Sequence, residues 1–257
     1  MARRDWTHDE LTLAMNLYCQ LPFGRLHKAN SEIISLAQVI GRTPSSVAMK
    51  LCNLASLDPA HQQRGVKGLS SVSKGDREIW QEFHSDWERL SVESESLRER
   101  LGITSVPSKS ESTRRSKEAF TGDTEGSRTV KVRLAQRFFR KSVLASYQSR
   151  CCVTDIAIPS LLVASHILPW SSFPTHRADP RNGLCLSRIH DAAFDQGLVT
   201  FDSDYRLILS RELRSATTNE VLRTSFLAFE GRPLRLPEKF RPDPTFLEKH
   251  RAEVFHG

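Results

Sequence analysis

The sequence predicts a two-domain α+β protein, and three observations carry that expectation. The first hundred or so residues place apolar side chains at helical spacing between capping signals, the stretch 104–129 is nearly free of aliphatic residues, and a long helical pattern after residue 130 leads into two short strand-like runs, a short helix and a hairpin. These shifts set the expected boundaries at a helical domain over 1–100, a flexible linker over 101–129 and a second domain over 130–257.

Composition narrows the function classes. With 257 residues, 39% hydrophobic and 26% charged, the chain has enough apolar content for one large or two small cores, which excludes a disordered polymer and a disulfide-stapled mini-protein. No run approaches the roughly 18–20 apolar residues of a membrane helix. The N-terminal Met-Ala-Arg-Arg-Asp-Trp leads into an amphipathic segment and not a signal-peptide core, so a cytoplasmic protein with no membrane partner is expected. Five cysteines, an odd number without framework spacing, fit a reducing compartment. The 37 Lys and Arg against 30 Asp and Glu give a net charge of +7, which favours polyanionic partners.

In the N-terminal part, Thr7 and Glu10 have the spacing of a reciprocal capping box, and Leu11, Ala14, Met15 and Tyr18 follow at helical intervals. A second helix is expected over 31–40, stopped by Gly41, and a third over 44–53, where Thr43 caps and Pro44 occupies the first helical position. Helix, tight glycine turn, helix is helix-turn-helix order. In the third helix Val47 and Leu51 are expected inside and Ser45, Ser46, Met49, Lys50 and Asn53 outside, a mixture able to touch phosphates and base edges. A three-helix module that binds protein has the same pattern. Residues 6–58, through Trp6 and Gly41-Arg42-Thr43-Pro44-Ser45-Ser46-Val47, resemble the Myb/SANT-like and helix-turn-helix domains at the N-termini of bacterial nucleases. Trp80, Phe83, Trp87 and Leu90 then predict one more helix over 76–101.

The second domain opens on a helix expected over 130–147, followed by strands over 161–168 and 184–187, the latter introduced by the turn signal Asn182-Gly183. A short helix over 189–195 ends at Gly197, and 198–201 and 205–209 form a hairpin. Three polar residues fall at element ends: His166 late in the first strand, Asn182 at the turn and His190 at the helix start. Each alone has a bland structural reading; their order across strand, turn and helix is more specific.

Ser165-His166-Ile167-Leu168-Pro169-Trp170, Asn182-Gly183-Leu184-Cys185-Leu186 and His190-Asp191-Ala192-Ala193-Phe194-Asp195-Gln196-Gly197 resemble the HNH endonuclease superfamily, in the branch with an Ala/Ser-His-Ile-x-Pro-Trp first strand. The resemblance spans about 130–210 and implies a ββα-metal nuclease fold and metal-dependent hydrolysis of DNA phosphodiesters, leaving 5′-phosphate and 3′-hydroxyl ends. It implies His166 as general base, suited by an unperturbed pKa near 6.5. His190 becomes a ligand of one Mg²⁺ or Mn²⁺ per site, and Asn182 a brace between the histidine strand and the metal helix. By analogy the setting is bacterial restriction or defence.

The sequence departs from the family in two places. Many HNH enzymes carry an acidic metal ligand where Ser165 stands. Asp195 is a tempting substitute, but five helical steps from His190 turn it about 140° off that face. The second protein ligand therefore stays open. Neither Cys-x-x-Cys pair that holds zinc in many HNH proteins is present, so Cys151, Cys152 and Cys185 are expected as buried small side chains and no structural zinc is expected. Gln136, Arg140 and Lys141 are candidates for a phosphate track, and Arg177 and Arg181 for gripping substrate phosphate. A homodimer for double-strand cutting and a regulatory partner for 1–100 are compatible with the chain. The rival readings are a DNA-binding protein with an inactive nuclease fold and an effector nuclease held inactive until a partner or signal arrives.

Overall fold

A computed structural model describes residues 4–63, 72–103, 123–215 and 219–257, so the expected linker lies mostly outside the described residues. The architecture is mixed, with helices around two small antiparallel strand pairs. Helix α1 (His8–Gln20) starts on the capping box, the Glu10 amide donating to Thr7 Oγ1 at 3.3 Å and the Thr7 amide to Glu10 Oε2 at 3.0 Å. Helices α2 (Ser31–Val39) and α3 (Pro44–Ala55) follow on either side of Gly41, whose φ of +65° is the left-handed conformation a helix-ending glycine supplies. After the short α4 (Pro59–Gln63), the single helix expected over 76–101 is two: α5 (Lys74–Ser85) and α6 (Trp87–Arg100). Asp86 breaks it. Its backbone leaves helical geometry at φ −151°, and its carboxylate accepts from the Arg89 amide at 2.9 Å, capping the second piece.

One side chain on α3 is not where its charge suggested. Lys50, expected on the outer face, is buried and ion-paired with Asp76 of α5, which is itself fully buried. Its ammonium also lies 4.9 Å from the Trp6 ring, which Arg42 covers at 4.2 Å. The helical wheel contains the reason: Lys50 follows Val47 by three and precedes Leu54 by four, so it sits on the edge of the buried stripe, and α5 docks against that edge. Ser45 and Met49 remain exposed on α3, while Asn53 is buried.

Helix α7 (Asp123–Ser146) starts earlier than the apolar pattern, because adding turns to a packed helix is cheap compared with nucleating one. Beyond it, β1 (Leu162–His166) pairs with β2 (Gly183–Ser187) in antiparallel register, Leu162 opposite Ser187 and His166 opposite Gly183. Helix α8 (Arg188–Asp195) packs across both strands, and β3 (Val199–Phe201) pairs with β4 (Leu207–Leu209). The chain ends with α9 (Arg211–Ser215), α10 (Glu220–Ser225) and α11 (Pro244–Glu253). Gly183 does not supply the turn conformation that Asn-Gly suggested; it is extended, at φ −129°. A Cβ there would lie 2.3 Å from Val143 Cγ2 and 2.9 Å from the Phe139 ring, so glycine is needed for the close approach of β2 to α7.

Two apolar clusters result, and α7 contributes to both. Phe138 and Ala135 enter the cluster built by α1, α2, α3, α5 and α6, whereas Phe139 and Val143, with Tyr147 just past the helix end, enter the one beneath β1, β2 and α8. The C-terminal part also reaches across: Ala178 and Phe240 are buried in the first cluster. Lys239, fully buried beside Phe240, donates to the carbonyls of Tyr18 and Leu21, the latter at 2.7 Å, with its ammonium 4.4 Å from the Tyr18 ring. Burial pushes its pKa down to about 8.

Gly197 fastens the end of α8. Its φ is +67°, its carbonyl accepts from the His256 amide at 2.9 Å, and a Cβ would stand 2.0 Å from the Val254 carbonyl oxygen. Gly197→Ala should therefore destabilise the protein by about 2 kcal/mol or more, since both the left-handed backbone and the C-terminal segment resist the change. Urea unfolding checks this; an unchanged midpoint would show that the C-terminal segment simply shifts. No helix among the described residues is long and apolar enough to cross a membrane.

Candidate active site

His166 is the last residue of β1, half-buried, with its imidazole stacked on Phe139 of α7 at 3.8 Å and 12° and the Trp170 ring edge-on at 5.4 Å. Its Nε2 lies 3.0 Å from the Arg177 carbonyl oxygen. A carbonyl can only accept, so Nε2 carries the proton and Nδ1 keeps its lone pair. Burial pushes the pKa of this histidine down to about 4, opposed by the carbonyl bond, and the ring is neutral at pH 7. A neutral, oriented imidazole with one unprotonated nitrogen is competent to take a proton from water.

Asn182 sits just before β2 and is buried. Its Oδ1 accepts from the Leu168 amide at 2.8 Å, and its Nδ2 donates to the Leu168 carbonyl at 3.2 Å and the His176 carbonyl at 3.1 Å. One side chain thus joins both ends of the loop that runs from His166 to β2, the loop whose Arg177 carbonyl holds the imidazole. Phe139, Trp170 and the Arg177 carbonyl shape the surroundings of His166; neither aromatic was a site candidate in the sequence, and Arg177 was one for its guanidinium, not its carbonyl. The aromatic pair could have been suspected from Pro169-Trp170 beside the histidine, but a backbone carbonyl leaves no trace in residue type.

His190, in the first turn of α8, is 1% exposed. Its Nε2 donates to the Ser225 carbonyl at 2.8 Å, so its bare Nδ1 accepts from the Ser187 hydroxyl, also at 2.8 Å. Burial lowers its pKa and the ring is neutral. Phe226 packs against it with ring centroids 4.8 Å apart. Ser165 is buried with its Oγ unbonded, and strand alternation turns it to the opposite face of β1 from His166. Asp195 lies at the far end of α8, exposed, and does not join His190; the helical rotation that separates them in sequence separates them in space. Among the described residues no group of three or more His, Cys, Asp or Glu is placed to hold a metal. In this arrangement the donor set does not fit the divalent ion that the resemblance implies: one histidine with both nitrogens engaged and one serine turned aside.

The basic candidates are largely committed to the protein itself. Arg181 makes a two-pronged pair with the buried Asp179, at 2.7 Å and 3.1 Å. Arg177 donates through Nε to the Trp170 carbonyl at 2.7 Å, stacks over the Trp170 ring at 5.3 Å and lies 3.8 Å from Glu88 of α6. Arg140 donates to the Leu162 carbonyl at 3.2 Å, and Gln136, one turn earlier on α7, is exposed. Cys151 Sγ accepts from the Ser187 amide at 3.2 Å, while burial holds the Cys185 thiol up at about 12 and the Cys152 thiol well above its ordinary value.

The buried imidazoles predict an acid-sensitive fold. His250 of α11 stacks on Phe194 at 3.7 Å, bonds the Thr200 hydroxyl and the Phe194 carbonyl, and has a pKa pushed down to about 4 by burial, like His166. The folded state binds fewer protons than the unfolded chain between pH 6.5 and 4. Stability from these groups is complete above about pH 6.5 and falls as the pH drops toward 4, by on the order of 3 kcal/mol per histidine. Denaturant midpoints taken from pH 7 to pH 4 measure the slope. His250→Gln, which takes up no proton, should flatten it, and an equal slope in the variant would remove His250 from the account.

No curated protein matches the chain. Residues 151–202, from the cysteine pair through β1, Asn182, β2, α8 and β3, match the family model described as HNH endonuclease.

Proposed function

We propose that this protein is an endonuclease that hydrolyses DNA phosphodiester bonds with His166 as general base. The observation that carries the reading is the tautomer: the Arg177 carbonyl takes the Nε2 proton, the ring is neutral, and Nδ1 is the base nitrogen. Asn182 acts as a positioning residue, tying the loop that presents this carbonyl to Leu168 and to the start of β2. The positive net charge favours a nucleic-acid substrate, and Gln136 with the exposed residues of α3, Ser45 and Met49, offers side chains for its contact. A role in bacterial restriction or defence follows by analogy with the family alone.

The test is nicking of supercoiled plasmid by the full chain with Mg²⁺ or Mn²⁺, beside an EDTA control. Nicking that EDTA stops supports a metal-dependent nuclease. A second reading, a DNA-binding protein with an inactive nuclease fold, is favoured by Ser165 at the family's acidic position and by the doubly engaged His190. Retardation of DNA on a gel without nicking under any divalent ion would establish that second reading instead.

A further inference from the structure

Helix α6 touches both supports of the His166 ring. Glu88 and Glu95 stand seven residues apart on it, which is two turns and about 10 Å along one face. At one end, Glu88 lies 3.8 Å from the Arg177 guanidinium. Arg177 also supplies the carbonyl bonded to His166 Nε2, and its own Nε donates to the carbonyl of Trp170, whose ring edge abuts the imidazole. At the other end, Glu95 is 1% exposed and accepts from Asn16 and Gln20 of α1 and from Arg137 of α7, whose Nε lies 2.8 Å away. Two residues on, Phe139 carries the face on which His166 stacks, and between them Phe138 is buried against Phe83 and Trp87, with ring centroids 6.3 Å and 6.2 Å away. The loop from His166 to β2 enters the same core through the buried Ala178, and Trp170 packs against it.

We propose that Glu88 and Arg137 are positioning residues for His166, through which α6 sets the imidazole by its stacked face and by its Nε2 bond together. Neither side chain acts on the ring directly. Helix α7 cannot slide or turn against α6 without parting the buried Glu95 carboxylate from its cation, a costly separation, and Phe139 follows Arg137 on the same rigid helix. Glu88 holds the guanidinium of Arg177 and so limits how far the loop can carry the Arg177 carbonyl away from Nε2. The N-terminal helices are thereby part of what places the base, and not a separable binding module joined by a tether. The effect on rate rests on the nuclease reading above; the placement of the ring does not.

Protons held over the face of an aromatic ring resonate upfield, so the imidazole C–H signals of His166, identified by their loss in His166→Ala, report the stack on Phe139 in the full chain. Wild type is compared with Glu88→Gln, Arg137→Met and Asn30→Ala, the last removing the α2 cap and so lowering stability away from both supports. In Arg137→Met the signals are expected to move downfield, and the maximal nicking rate to fall about tenfold with DNA retardation unchanged, as for a misplaced catalytic group. Glu88→Gln, which weakens a partly exposed pair, should move them in the same direction with a fall of about threefold. Asn30→Ala should alter neither. Signals at wild-type positions in either Arg137→Met or Glu88→Gln, or an equal displacement in Asn30→Ala, overturn the proposal. Should Arg137→Met fail to fold, Glu88→Gln, a substitution at a half-buried position, decides alone. Displaced signals in a protein that never nicks DNA would sink the nuclease reading and leave the positioning role standing, while nicking by the wild type with unmoved signals in the variants would do the reverse.

Discussion

His166→Ala is expected to lower plasmid nicking by about 10²- to 10⁴-fold, the range that a positioned general base contributes. Geometry, more than the mere presence of a histidine, makes this ring competent as a base. The ring is pinned from three directions, by the Phe139 face, the Trp170 edge and the Arg177 carbonyl, and only Nδ1 is left to act. Removing it takes away the proton acceptor and a stacked side chain, so melting temperature and DNA retardation must be measured beside the rate. A variant that still folds and retards DNA but no longer nicks assigns the chemistry to His166. Nicking at the wild-type rate would remove His166 as base, whatever the family resemblance implies.

Asp76→Ala is expected to cost about 3–5 kcal/mol, because it leaves the Lys50 ammonium buried without its counter-charge. The same carboxylate receives the Ser73 amide at 2.9 Å in the capping box that starts α5, whose loss adds about 1 kcal/mol. Replacing both partners by apolar residues of similar size, Lys50→Met with Asp76→Leu, should recover most of the pair's share, since a buried ion pair is costly mainly when broken. Urea unfolding of the single and double variants separates these contributions. A loss below about 1 kcal/mol for Asp76→Ala would mean that water reaches the pair and that α5 docks more loosely than its burial indicates.

Much of the fold is legible in the sequence. The Thr7 capping box, the Gly41 turn and the Thr43-Pro44 helix start all depend on interactions within a few residues, and local interactions are written in local sequence, while the strand, strand, helix order around His166, Asn182 and His190 is legible through residue type and periodicity. Periodicity could not place Asp86, because an acidic side chain suits a helix surface as well as a cap, and only its φ of −151° shows which it does. Lys50 departs from its expected face for a related reason. Charge argues for the outside until a partner is known, and that partner lies on another helix.

What the sequence determined by itself is the first three helices, the order of β1, β2, α8 and the β3–β4 hairpin, and the residue types that carry the family resemblance; the split at Asp86 and helices α4, α9, α10 and α11 lay beyond it. Tertiary structure alone decided how α7 is shared, with Phe138 and the adjacent Phe139 entering different cores, and which groups face the two histidines. It also decided that Gly183 is required for packing and not for its turn conformation. The physical reason is the same in each case. Helix caps and strand alternation are set by neighbours along the chain, whereas the Arg177 and Ser225 carbonyls that select the tautomers of His166 and His190 are brought in by packing, and a backbone carbonyl is identical at every residue.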